Sequence, residues 1–130
     1  MIVYDSRALI AAERGKRPLL ALHTRMLQRR IRPVVPAPVL AQVWRGGPRT
    51  TLSRVLVGCR IEEGFTESDA RRIGTWLART ATSDVVDAYV VAVASRAPGS
   101  VIYTDDVGDL GRLADVAHPP PTVLPVPKGS

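Results

Sequence analysis

Five short runs rich in β-branched residues, MIVYD, RPVVPA, CRIEEG, SVIYT and TVLPV, recur along the 130 residues, and helical periodicity fills the stretches between them. Strands that alternate with helices pair most simply in parallel, because each helix carries the chain back across the sheet. Such a sheet is buried on both faces, which is why the strand-like runs are apolar rather than alternating. The pattern therefore predicts one domain over residues 1–126, a three-layer α/β/α sandwich around a central, mostly parallel sheet. Residues 127–130, PKGS, are expected to form a flexible tail. The length suits a single hydrophobic core, and 45% hydrophobic with 23% charged residues is ordinary for a globular domain.

The helices can be placed from their punctuation. SRALIAAERG is expected to end at Gly15, and residues 17–31 form an amphipathic helix with arginines on its outer face. Pro38 is expected to start a helix through VLAQVWRGG that closes on Gly46 and Gly47. TTLSRVLVG and DLGRLADVA are shorter helices, and Thr66 with Asp69 carries a capping signature at the head of TESDARRIGTWLART. A further helix is expected over 84–97, and HPPP is a stiff loop before the last strand.

That helix begins with two aspartates, Asp84 and Asp87, in the stretch DVVDAYVVAVA, which is otherwise apolar except for Tyr89. Burying carboxylates is unfavourable unless they stay wetted, cap the helix or hold a cation. Spaced i and i+3, Asp84 and Asp87 share one side of the first turn, where the helix dipole favours negative charge. Asp84 as N-cap, with Asp87 bonding back to it, explains the pair without any chemistry. Asp5 and Asp106 shift the balance, since they lie at the ends of the first and fourth strands, and in open parallel sheets sites form beyond the carboxyl ends of strands. Carboxylates gathered there repel unless protonated or bridged, and a hard divalent ion, Mg2+ or Mn2+, prefers an all-oxygen set. Such ions activate water and stabilise both oxygens of a phosphodiester displacement, so a nuclease is the expected class.

The charge agrees with that class. Net charge is +6, and all but two of the 18 basic residues are arginine, Lys16 and Lys128 being the exceptions. Arginine grips phosphate with a planar fork, although GC-rich codon usage would account for the same bias. Arg25, Arg29, Arg30 and Arg32 form the densest basic cluster, suited to an RNA backbone, an acidic partner or plain solvent. Cys59 is the only cysteine, which excludes an internal disulfide and suits a reducing compartment. No apolar run approaches the ~18 residues of a membrane helix. The chain enters a strand-like segment at once, without a basic leader, so it is expected in the cytoplasm and not in a membrane. His23 and His118 have no metal-spaced partner and are expected at the surface, Cys59 in the core, and Trp44 and Trp76 in the core or at a subunit interface.

IVYDSRALIA, VLAQVWRGG, DVVDAYVVAVA and IYTDDVGDL, in this order and spacing, resemble a PIN-domain ribonuclease of the VapC toxin kind, over nearly the whole chain. The resemblance implies that Asp5, Asp87 and Asp106 bind metal and catalyse, with Asp84 an additional metal ligand and Thr104, in its T-x-D pattern, orienting the neighbouring aspartate. It implies Mg2+-dependent cleavage of transfer or ribosomal RNA, pairing as a homodimer, and silencing by a cognate antitoxin that puts a basic side chain into the acidic pocket. Two positions depart from the family pattern. Gln42 stands where many members carry glutamate, and Arg7 where many carry serine, so Gln42 offers the site one neutral oxygen beside the ligands. Arg7 and Arg45 are candidates for RNA phosphate, Arg45 being equally suited to the dipole at a helix end. Asp105 and Asp109 are expected to face solvent or cap a helix. An inactive member that only binds RNA or a partner is the competing reading, motivated by Gln42 and Arg7. A phosphate-accepting receiver domain also collects aspartates at strand ends, but it needs a lysine closing its last strand, and only Lys16 and Lys128 exist.

Overall fold

The five expected strands all form, each three residues long: β1 Ile2–Tyr4, β2 Val34–Pro36, β3 Arg60–Glu62, β4 Val101–Tyr103 and β5 Thr122–Leu124. The computed structural model describes residues 1–47, 50–82 and 84–128. Of the expected tail over 127–130, Gly129 and Ser130 lie outside the described residues. The strands make one sheet in the order β3-β2-β1-β4-β5, and each neighbouring pair is parallel. The chain thus works outward from β1 in one direction and then, from β4, in the other. Receiver domains use the order 2-1-3-4-5, so this topology removes them from consideration.

Right-handed crossovers turn that reversal into two helical layers. α1 Ser6–Glu13 packs with α2 Arg17–Gln28, α3 Ala37–Val43 and α4 Thr51–Val57 on one face, while α5 Glu67–Thr80, α6 Val85–Ala94 and α7 Val107–Val116 pack together on the other. The expected sandwich is therefore present. α6 is its spine, touching β1, β2 and β4 as well as α5 and α7. Ala88 to Ala94 are all at most 1% exposed, as a helix apolar on every side must be. Burying Val90, Val91 and Val93 contributes about 1.5–3 kcal/mol each, so the direction of α6, and the place of its acidic head, is fixed by packing.

Boundaries differ from the sequence expectation where chain ends turn early. α3 starts at Ala37, with Pro38 in its first turn, and stops at Val43 rather than at the glycines, because Trp44 is already extended at φ −65°, ψ 129°. Gly46 and Gly47 then take positive φ, 88° and 98°, which side chains would resist. α6 ends at Ala94, short of 97.

Two side chains correct the sequence reading. His23 is not at the surface: it is 5% exposed and its Nδ1 lies 2.9 Å from the hydroxyl of Tyr4. The reason is geometric, since His23 falls between Leu19 and Met26 on the buried stripe of α2, where the fully buried Tyr4 needs a partner for its hydroxyl. Burial holds the imidazole below its ordinary pKa. Trp44 is not in the core either, being 38% exposed beside an apolar groove formed with Ala37, Leu40, Ala41 and Leu56. Trp76 and Cys59 are buried as expected, and burial pushes the Cys59 thiol up to about 12. His118 is exposed, as are Arg25, Arg29, Arg30 and Arg32. No helix among the described residues is long and apolar enough to cross a membrane.

The capping box of α5 forms in full: the Thr66 hydroxyl accepts from the Asp69 amide and the Asp69 carboxylate from the Thr66 amide, both at 3.1 Å. Thr66→Ala should lower stability by about 1 kcal/mol, seen as a shifted urea midpoint with an unchanged slope.

Candidate active site

Asp5 is the first residue beyond β1, and its amide donates to the Tyr103 carbonyl at 3.2 Å, which ties the carboxyl end of β1 to that of β4. These are the two strands between which the sheet order reverses, the place where an open α/β sheet leaves a crevice. Thr104, the residue after β4, is fully buried. Its hydroxyl donates to Asp5 Oδ2 at 2.8 Å and accepts from the Asp106 amide at 2.9 Å. One hydroxyl therefore spans the switch point and sets both aspartates.

The other two acids arrive on the head of α6. Asp84 is its N-cap, with Oδ1 accepting from the Asp87 amide at 3.0 Å. Asp87 does not return that bond; the Asp84 amide faces Thr82 Oγ1 at 3.5 Å instead. Capping thus accounts for Asp84 and leaves Asp87 unexplained. Asp106 also caps a helix, α7, through Oδ1 and the Asp109 amide at 3.4 Å. Asp109 pairs with Arg112, and Asp105 is exposed, as expected of both.

The four carboxylates lie near enough for their charges to act on Asp87. Asp87 is pushed up from the usual carboxylate range to about 7, first by burial and then by the charges of Asp84, Asp5 and Asp106 in turn. Asp5 is also raised, chiefly by burial and further by Asp106, against the Thr104 hydrogen bond, the Ser6 amide and the charge of Arg7, which favour its ionised form. Asp5 is 2% exposed, Asp87 and Asp106 half-buried and Asp84 exposed, so the group runs from a closed floor to an open rim.

Asp5 Oδ1 is buried with no hydrogen-bond partner. A buried carboxylate oxygen left unpaired costs free energy that a bound cation would recover. The donors are all oxygens, as Mg2+ or Mn2+ requires, and each carboxylate that is already bonded uses only one of its two. Asp5 gives Oδ2 to Thr104, while Asp84 and Asp106 give Oδ1 to their caps, so a second oxygen remains on each. The residues fit a hard divalent ion. Among the described residues no three acidic, imidazole or thiol side chains form a group placed to hold a metal ion.

The remaining candidates lie outside this group. Gln42 is exposed on α3, and no hydrogen bond joins its side chain to the four acids among the described residues. The Arg45 guanidinium donates to the carbonyls of Trp44 at 2.8 Å, Gln42 at 3.0 Å and Ala41 at 3.4 Å, closing the end of α3 as the dipole alternative expects. Arg7 is exposed and lines a cavity with Arg14, Lys16 and Lys128. Sequence reading passed over the last three; the seven-residue spacing of Arg7 and Arg14, which stacks them on one face of α1, was the available signal.

No family model, curated protein or solved structure matches the chain.

Asp87 has an ordinary value of 3.8 and about 7 when folded, so between these the folded chain keeps a proton that the unfolded chain releases. Stability from this group is lost as pH rises through that window, and the ionised form stays costly above it. Asp87→Asn should raise the urea midpoint in chelator at about pH 9, and by less at about pH 5, where only part of the penalty has developed. A lower midpoint at the higher pH would refute the crowding of charge around Asp87.

Proposed function

We propose that this chain is a divalent-metal-dependent endoribonuclease, of the PIN-domain kind found in VapC toxins, that hydrolyses structured RNA such as transfer or ribosomal RNA. The observation that carries the reading is the unpaired, buried Oδ1 of Asp5 beneath three further carboxylates at the switch point of the sheet. A structural acid has no need of that company, whereas a metal floor does. A bound Mg2+ or Mn2+ would neutralise the carboxylates and activate water for in-line displacement at phosphorus.

In this reading Asp5, Asp87 and Asp106 hold the ion and are the catalytic carboxylates. Asp84 adds a ligand from the rim through the oxygen its cap leaves over. Thr104 positions Asp5 and Asp106 without touching substrate. Asp87, raised by its neighbours, returns to its ionised state once their charge is balanced, and so becomes a donor. Neither Gln42 nor Arg7 supplies the group with a charge-bearing oxygen, which favours a small ligand set. The net charge of +6 supports a polyanionic substrate. A cognate antitoxin, a homodimer and a cytoplasmic setting belong to the same proposal.

Purified chain should cut transfer or ribosomal RNA with Mg2+ or Mn2+ and stop in chelator. Thr104→Val should lose roughly 10- to 100-fold in rate, and Asp5→Asn and Asp87→Asn more, with circular dichroism unchanged. RNA bound but left whole by the wild-type chain in both metals would replace this reading with that of a binding module.

A further inference from the structure

Beside the acidic group lies a cavity of about 680 Å³ of opposite character. Its walls carry Arg7, Arg14, Lys16 and Lys128 against a single acid, Asp105. None of the four cations is in an ion pair among the described residues. All four are exposed, so solvent screens their mutual repulsion and leaves them available to an anion. Arg7 and Arg14 lie two turns apart on one face of the α1 end, ~10 Å along the axis, which spaces them for successive groups of a polyanion rather than one small ion. Between the cations the floor is apolar, formed by Ile10, Val126 and Pro127.

The cavity lies next to the candidate active site, although none of the four acids lines it. Arg7 is close enough for its charge to act on Asp5, and Asp105 immediately precedes Asp106. A ligand that enters here and reaches the acids must therefore present negative charge along its length with flat or apolar groups between. Single-stranded nucleic acid has that make-up: phosphates for guanidinium and ammonium, and sugar and base for the apolar floor.

We propose that the cavity between α1 and the C-terminal segment is a nucleotide subsite that grips the backbone phosphates of the RNA strand next to the one delivered to the acids, an inference that rests on the nuclease reading. Arg14 and Lys16 hold the phosphate farther from the centre, Arg7 holds the nearer one, and Lys128 closes over the strand from the opposite wall. The subsite gives affinity and register without reading base edges, because every group it offers faces backbone or a flat ring.

The test is fluorescence anisotropy with a short labelled single-stranded RNA on the Asp87→Asn chain, so that cutting does not disturb the measurement. Arg14→Gln with Lys16→Gln should weaken binding by roughly tenfold or more and reduce the slope of log affinity against log salt by about 0.7 per lost contact. Lys128→Gln, in a terminal segment where the fold has little at stake, should show the single-contact effect. Arg79→Gln, exposed on α5 in the opposite layer, should change neither quantity. Unchanged affinity and slope in the double variant and in Lys128→Gln would overturn the subsite. So would displacement of the RNA by polyglutamate as readily as by unlabelled RNA, which would assign the cavity to an acidic peptide. Absence of cleavage by the wild-type chain counts against the nuclease reading alone, since binding is read on a chain that need not cut.

Discussion

The Thr104 hydroxyl, held at 2.8 Å from Asp5 Oδ2 and 2.9 Å from the Asp106 amide, is the bond on which the arrangement of the acidic crevice depends. It joins residues 99 positions apart in sequence, and it does so where β1 and β4 diverge and no further ladder bond can. A hydrogen bond to a charged group contributes about 1.5–3 kcal/mol, but its larger effect is geometric. With Oδ2 occupied, Asp5 has one oxygen left, and that oxygen is buried and unpaired. The backbone amide on the other side fixes where Asp106 begins α7. A single threonine thus fixes which oxygen of Asp5 is left over and where the backbone of Asp106 sits.

The rest of the fold serves to hold acids where repulsion would part them. Asp84 and Asp87 stay at the crevice because α6 behind them is packed on every side, and moving its head would unseat a run of fully buried alanines and valines. The favourable packing of Ala88 to Ala94 therefore offsets the unfavourable crowding at the N-terminus of the same helix. Asp5 is restrained in the same way by β1, whose Val3 and Tyr4 are fully buried. Strain of this sort, kept in place by a rigid surround, is what a site designed to receive charge requires.

Much of the architecture was legible in the chain. Strand and helix alternation gave the layers, and all five strands form where expected, the apolar runs giving the buried central strands β1 and β2 and the more polar CRIEEG the more exposed edge strand β3. The convergence of Asp5 and Asp106 followed from strand ends, whereas Thr104 was singled out only by the family resemblance of its T-x-D pattern. What escaped was information held in three dimensions. His23 looked like a surface residue because a lone histidine between arginines carries no sign of a partner, and only the fold brings Tyr4, 19 residues earlier, against it. Trp44 was expected in the core or at a subunit interface, and the core is ruled out because α3 ends one residue before it and leaves it 38% exposed. Arg14, Lys16 and Lys128 were invisible as a group, since the last comes from the far end of the chain.

The division of labour among carboxylate oxygens resolves the question raised by the paired aspartates of DVVD. Capping and coordination are usually treated as rival explanations of an acid at a helix head, yet a carboxylate has two oxygens and a cap needs one. Asp84 satisfies the Asp87 amide with Oδ1, and Asp106 satisfies the Asp109 amide with Oδ1. Each cap fixes its carboxylate in a defined orientation, which lowers the entropy lost when the second oxygen takes a ligand. Asp87 alone makes no cap bond, and it is the residue most strongly raised toward neutrality. In the proposed metal-binding reading the capping bonds would prepare the outer acids while the uncommitted one takes up the charge imbalance of the group, so one helix end would serve a structural and a chemical task without conflict.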